Sequence, residues 1–236
     1  MVILYILLVF AAVILARTLM FTPKAQEQVE FEDVTLDNDR AVKNLAALIC
    51  CRTVSNDDPA LEDDAEFEKL VSLLPSLYPK VFETCALTRF PGRGLLFHWK
   101  GRAPGEAAVL MAHYDVVPVE EDNWSRPPFE ALIEDGVMWG RGTLDTKVTF
   151  NGILSAAEEL IEKGFTPGRD VYFAFSGGEE VNGPGAQNIV NWFRDQGIEP
   201  SLVLDEGGAV VEDVFPGVKG QCALIGIAEK GMLNLE

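Results

Sequence analysis

Residues Ala107–Asp115 read A-A-V-L-M-A-H-Y-D, an apolar run that ends directly on a histidine and an aspartate. A short, unbroken apolar run of this kind is the pattern of a strand buried on both faces. The arrangement recurs twice. Asp170–Ser176, D-V-Y-F-A-F-S, runs into G-G-E-E, which places Glu179 and Glu180 just past its end. Ser201–Leu204, S-L-V-L, runs into D-E-G-G, with Asp205 first. Three strands thus deliver acids or an imidazole past their carboxyl ends, and in open α/β sheets that edge is where ligands bind.

Working outward, a fourth acid, Asp145, lies in G-R-G-T-L-D-T-K, a glycine-bearing loop that opens a helix. The spacing predicts that helix over Thr146–Lys163, with Phe150, Ile153, Leu154, Ala157, Leu160 and Ile161 on one stripe and Gly164 as its stop. Pro184–Gln196 reads as a second helix, with proline near its start and Gly197 after its end. Earlier helices are expected over Asp39–Arg52 and Asp64–Leu77, the latter with Phe67, Leu70, Val71 and Leu74 on one face. Leu95–Trp99 is another short run bounded by Gly and Pro, as buried strands are. Alternation of strands and helices predicts an α/β domain with a central, mostly parallel sheet flanked by helices.

Each polar motif alone is weak. A pair of adjacent glutamates is usually a solvated surface feature, and a lone H-x-D is usually a hydrogen-bonded strand-end histidine. Their convergence is more specific. Oxygen and imidazole donors without thiolate suit a catalytic zinc or a similar divalent ion, and the donor types alone also permit cobalt or manganese. In H-x-D the aspartate can fix the imidazole tautomer. Adjacent glutamates can divide labour, one on a metal and one as a general base.

The stretches M-A-H-Y-D-V-V-P-V, W-G-R-G-T-L-D-T-K, F-S-G-G-E-E-V-N-G-P-G-A and V-L-D-E-G, in this order, resemble the zinc-dependent aminoacylase and carboxypeptidase family. The resemblance runs from about Asp39 onward. The apolar N-terminus and the segment N-W-S-R-P-P-F-E, Asn123–Glu130, resemble its membrane-anchored branch of carboxypeptidase S and N-acyl-amino-acid hydrolases. The resemblance implies hydrolysis of amide bonds in peptides or N-acyl amino acids, with two zinc ions. It implies that His113 and Asp205 bind one zinc, Glu180 the other, and that Asp145 bridges both. Asp115 then orients His113, and Glu179 is the general base.

One departure stands out. The family closes its second zinc with a late histidine, and no histidine follows His113 here. His98, beside Trp99 on an expected strand, is read as a packing or surface residue. The sequence ends in A-E-K-G-M-L-N-L-E, where the resemblance places the start of a smaller lid and dimerisation domain. The expectation is therefore a catalytic domain, 39–236, incomplete at its C-terminus, with a homodimer only where that lid is present. The chain itself is expected to bind at most one divalent ion tightly and to show little or no amide hydrolysis. Two other readings stay open: an inactive membrane-tethered protein with a crippled metal site, and a one-metal hydrolase of an ester or deacetylation substrate.

Composition bounds the rest. Acidic residues number 37 against 19 basic ones, a formal charge of −18, and no Lys/Arg cluster interrupts it, which argues against nucleic-acid binding. Cys50, Cys51, Cys85 and Cys222 form neither a disulfide framework nor a zinc knuckle, so buried free thiols are expected. At the N-terminus, residues 1–21 read as a transmembrane anchor, with a signal peptide as the rival, since about 20 helical residues span a ~30 Å hydrocarbon core. Residues 22–38, acidic and aperiodic, read as a stalk. Arg17, directly after the uncharged run Val2–Ala16, and Lys24 weakly place the body in the cytoplasm.

Overall fold

The computed structural model describes residues 2–21 and 36–227. The chain divides into two units, residues 1–35 and 36–236. In the first, α1 (Val2–Leu19) is a single helix with no buried residue. Its mean hydropathy of 2.6 over 18 residues makes it long and apolar enough to cross a membrane, a test that a signal sequence near the N-terminus also meets. Most of the expected stalk, 22–35, and the final A-E-K-G-M-L-N-L-E lie outside the described residues.

The second unit opens with α2 (Asn38–Ile49) and α3 (Asp64–Leu77), each started by an aspartate side chain, Asp37 or Asp63, that accepts an N-terminal amide. A short α4 (Pro79–Thr84) follows, then β1 (Ala86–Phe90), β2 (Gly94–Trp99) and β3 (Ala107–His113). Next come a hairpin of β4 (Leu132–Glu134) and β5 (Val137–Trp139), α5 (Lys147–Glu162), β6 (Val171–Ser176), α6 (Gly185–Asp195) and β7 (Pro200–Leu204). A last small hairpin pairs β8 (Val210–Glu212) with β9 (Gln221–Ala223).

The central sheet has the order β1-β2-β6-β3-β7. β3 is parallel to both β6 and β7, whereas β2 is antiparallel to β1 and to β6. Four of the five strands therefore run the same way, and β2 alone is reversed. The expected mostly parallel sheet is present, with its helices on both faces. Alternating side chains serve two cores. Leu95, Phe97, Trp99, Phe173 and Phe175 pack with Leu48, Leu70, Leu74, Phe150 and Leu154 of α2, α3 and α5. Leu96, Val109, Tyr172 and Ala174 pack with Ile189 and Phe193 of α6.

Two details differ from the sequence reading. Leu160, expected on the buried stripe of α5, is exposed, while Glu158 and Glu159 are buried. Glu158 is accounted for by α4: its two carboxylate oxygens accept the amides of Lys80 and Val81 at 2.9 and 2.8 Å, capping a helix that has no side-chain cap of its own. Cys51 and Cys85 are buried free thiols as expected, but Cys50 is exposed.

Candidate metal centre

The parallel register brings the strand ends together. His113, the last residue of β3, pairs with Ser176, the last of β6. From Ser176 the chain passes through Gly177 into a single turn, Glu179–Val181, that carries both glutamates. Gly177 is required by close approach, since a Cβ there would lie 2.5 Å from the Tyr114 ring. β7 is aligned with β3 through Leu110 and Leu204, so Asp205 and Glu206 emerge at the same edge.

His113 is 2 % exposed and held at Nδ1. That nitrogen lies 3.0 Å from the backbone carbonyl of Asp115, an acceptor only, so Nδ1 carries the proton and Nε2 faces the site. Asp115 is fully buried. Its carboxylate accepts the Ser55 hydroxyl at 2.7 Å and the amides of Glu179 and Glu180 at 3.1 Å each, and its Oδ1 stands 3.5 Å from His113 Nδ1. Burial opposes the Asp115 charge, but His113 and Ser55 outweigh it and hold the carboxyl below its usual range.

Around Nε2 the carboxylates crowd. Asp145 Oδ1 lies at 3.0 Å, Glu206 Oε1 at 3.1 Å and Glu179 Oε2 at 3.9 Å. His113, Asp145 and Glu180 offer ligand atoms all within 4.8 Å of one another, as do His113, Glu179 and Glu206. Asp205 is not in either group. Its Oδ1 accepts the amide of Glu206 at 2.9 Å, and with Glu179 and Glu206 it lines two adjoining cavities. The larger, of about 860 Å³, also touches Asp145; the smaller, of about 350 Å³, is lined by His113 and by apolar residues of β3 and α6.

The electrostatics fit a cation. Among the described residues, the ion pairs of Asp115, Asp145, Glu179 and Glu206 all run to His113. Burial disfavours charge on that ring, yet hydrogen bonds to Asp115 and Glu206 push its pKa up to about 11. Burial and the neighbouring carboxylates raise the pKa of both Glu179 and Glu180. One imidazole surrounded by an excess of acid is a donor set that a divalent ion such as zinc, cobalt or manganese would satisfy.

Two buried groups fix the Asp145 loop. Lys147 is fully buried, and its Nζ donates to the carbonyls of Leu48 and Cys51 at 3.0 and 2.7 Å, tying the start of α5 to the end of α2. Desolvation lowers its pKa to about 8. Gly142, at φ +87°, turns the loop where a side chain would meet Val116 and Lys147. His98 is elsewhere: it bonds Asp170 at 2.8 Å and stacks on Tyr172, near the start of β6. Glu206 was missed by sequence reasoning. Its only signal is adjacency to Asp205, and a D-E pair past a strand end does not say which acid turns inward.

The profile of Peptidase family M20/M25/M40 matches residues 109–227, which hold every residue of the cluster. A probable carboxypeptidase S-like 2 of Dictyostelium discoideum is 36% identical over 234 residues, covering 93% of this chain and 45% of that protein. The Homo sapiens N-fatty-acyl-amino acid synthase/hydrolase PM20D1 is 37% identical over 178 residues, 72% of this chain and 34% of its own length. The crystal structure of human carnosine dipeptidase 1 superposes with a TM-score of 0.61 at 16% identity, over 74% of this chain and 40% of that one, a likeness of fold. The chain thus spans under half the length of these relatives. With the family profile matched across β3, β6 and β7 and their strand-end acids, the chain belongs to Peptidase family M20/M25/M40.

Proposed function

We propose that this site serves metal-dependent hydrolysis of amide bonds in peptides or N-acyl amino acids. The observation that carries the reading is the convergence of His113, Asp145 and Glu180 within 4.8 Å at the carboxyl edge of a parallel sheet. The names of the Dictyostelium and human relatives support the two substrate classes. In this reading His113, Asp145 and Asp205 hold one zinc ion, and Glu180 with a share of Asp145 begins a second position. A divalent cation there supplies Lewis acidity, polarising an amide carbonyl and making water more acidic.

The chain's own residues do the rest. Asp115 fixes the His113 ring so that Nε2 faces the ligand space, and its grip on two backbone amides sets the Glu179–Glu180 turn. Glu179 is not required as a ligand. Its carboxylate, raised in pKa by burial and its acidic neighbours, takes a proton from attacking water and returns it to the leaving amine.

A second reading rests on one observation: among the chain's two histidines only His113 stands in the cluster. On that reading the protein binds one ion and does not turn over. The test is metal analysis of the dialysed chain together with an assay, on an N-acyl amino acid and a dipeptide, of a version extended to the length of its relatives. Bound zinc with turnover supports hydrolysis, bound zinc without turnover supports the second reading, and no metal at all overturns both.

We read α1 as an uncleaved anchor, on its length and apolarity. Carbonate washing of membranes followed by N-terminal sequencing tests this, and a soluble form beginning at roughly residue 25, past a processed leader, would overturn it.

A further inference from the structure

We propose that Ser55 is a positioning residue for the metal centre, acting through Asp115 on both His113 and the Glu179–Glu180 turn. This rests on the metal-site reading above. Ser55 lies in Thr53–Ser55, a stretch outside every motif of the sequence analysis. It runs parallel to Tyr114–Val116, with a bridge between Val54 and Val116. Val116 N donates to the Thr53 carbonyl at 2.9 Å, Ser55 N donates to the Val116 carbonyl at 3.0 Å, and the Thr53 hydroxyl donates to the Tyr114 carbonyl at 2.6 Å. These bonds set the register, and that register puts the Ser55 hydroxyl on Asp115 Oδ2 at 2.7 Å, with both residues essentially inaccessible to water.

Asp115 is an acceptor whose lone pairs are shared out. Oδ2 takes the Ser55 hydroxyl and the Glu180 amide; Oδ1 takes the Glu179 amide and faces His113 Nδ1. The carboxylate is therefore the common hinge between the imidazole ligand and the turn that presents the two glutamates. Among the described residues Ser55 gives it a side-chain hydroxyl. Without that bond, a buried carboxylate loses an acceptor contact that water cannot replace, and it can rotate towards its remaining partners. The ring and the turn then lose their common reference. Outer partners of metal ligands typically contribute about 10–100-fold in metal affinity.

Ser55→Ala in the full chain tests this by two measurements: Co²⁺ affinity from its visible absorption, and amide hydrogen exchange. The expected result is a weaker Co²⁺ complex by about 10–100-fold, an altered absorption envelope, and faster exchange confined to Glu179 and Glu180. Unchanged affinity with unchanged exchange at those two amides overturns the proposal. Faster exchange throughout β3 and β6 also overturns it, in favour of a plain packing defect. Should Ser55→Ala fail to fold, Ser55→Cys, which fills the same space with a weak donor, carries the same two measurements. A wild-type chain that takes up no Co²⁺ overturns the metal reading, and the exchange comparison alone then decides the role of Ser55.

Discussion

The two edges of the central sheet each hold one of the chain's two histidines, and each histidine has an aspartate beside it. His98 lies next to the last residue of β2, and His113 is the last of β3. β2 is the reversed strand, so its carboxyl end falls at the opposite edge from those of β3, β6 and β7. There the ring of His98 stacks on Tyr172 and bonds Asp170, whose other oxygen accepts the Gly101 amide at 2.8 Å. At the other edge three carboxylates come within 3.9 Å of His113 Nε2, with Asp115 behind the ring. The lesson is that a histidine–aspartate pair marks no site by itself. Strand direction decides whether it stands alone or is joined by acids from neighbouring strands.

The sharpest way to break this contrast is turnover. In a version extended to the length of its relatives, Glu179→Gln is expected to keep metal binding and lower the hydrolysis rate by about 10²–10⁴-fold, as loss of a general base does. Asp170→Asn, at the other edge, is expected to leave the rate unchanged. Near-normal activity of the Glu179 variant on an N-acyl amino acid would assign the base elsewhere.

Metal affinity comes next. His113→Ala removes the one imidazole of the cluster and should weaken zinc or Co²⁺ binding by more than the ~10–100-fold typical of outer partners. His98→Ala should bind as wild type does. Equal losses in isothermal titration of the two variants would erase the distinction between the edges.

Lys147→Met probes the support beneath the Asp145 loop. It removes two buried hydrogen bonds to carbonyls and should cost about 1–3 kcal/mol at neutral pH, read by urea unfolding. Burial lowers the folded pKa of Lys147 to about 8, below its unfolded value of 10.5. Between these values the unfolded chain binds the extra proton, so this lysine contributes stability that rises with pH. The wild-type advantage over Lys147→Met should therefore widen from about pH 8 to pH 10.5. A constant difference across that window would show that the lysine is not desolvated.

The smallest effect belongs to His98 and Asp170. Burial opposes the Asp170 charge, but the Gly101 amide and His98 hold its pKa below the usual range. Its contribution is present above the unfolded carboxylate pKa and is lost as pH falls through the lower folded value. The pair is partly exposed, so solvent screening keeps it below about 1 kcal/mol. Asp170→Asn should flatten the acid limb of the stability curve only slightly.

Much of the site was legible because apolar runs and the acids that end them are neighbours in sequence. Ala107–His113, Val171–Ser176 and Pro200–Leu204 fall within a residue of the runs read as strands, and Asp64–Leu77 is the helix its spacing predicts. Glu206 and Ser55 were not legible. Which of two adjacent acids turns inward, and which serine meets Asp115, depends on the rotation of the chain after a strand and on a register formed across 60 residues.

The sequence by itself determined the class of the fold, the sheet edge at which the acids gather and the donor types, because periodicity and strand-end position are local properties. Only the tertiary structure decided that β2 is reversed, which sets His98, already read as a packing or surface residue, at the opposite edge. It also supplied α4, whose first amides find their acceptors on Glu158, more than 70 residues away. It turned Glu206 towards His113 while Asp205 bonds the next amide. For Glu158 and for Glu206 the deciding contact joins groups distant in sequence and satisfies a buried polar atom that no local pattern can see.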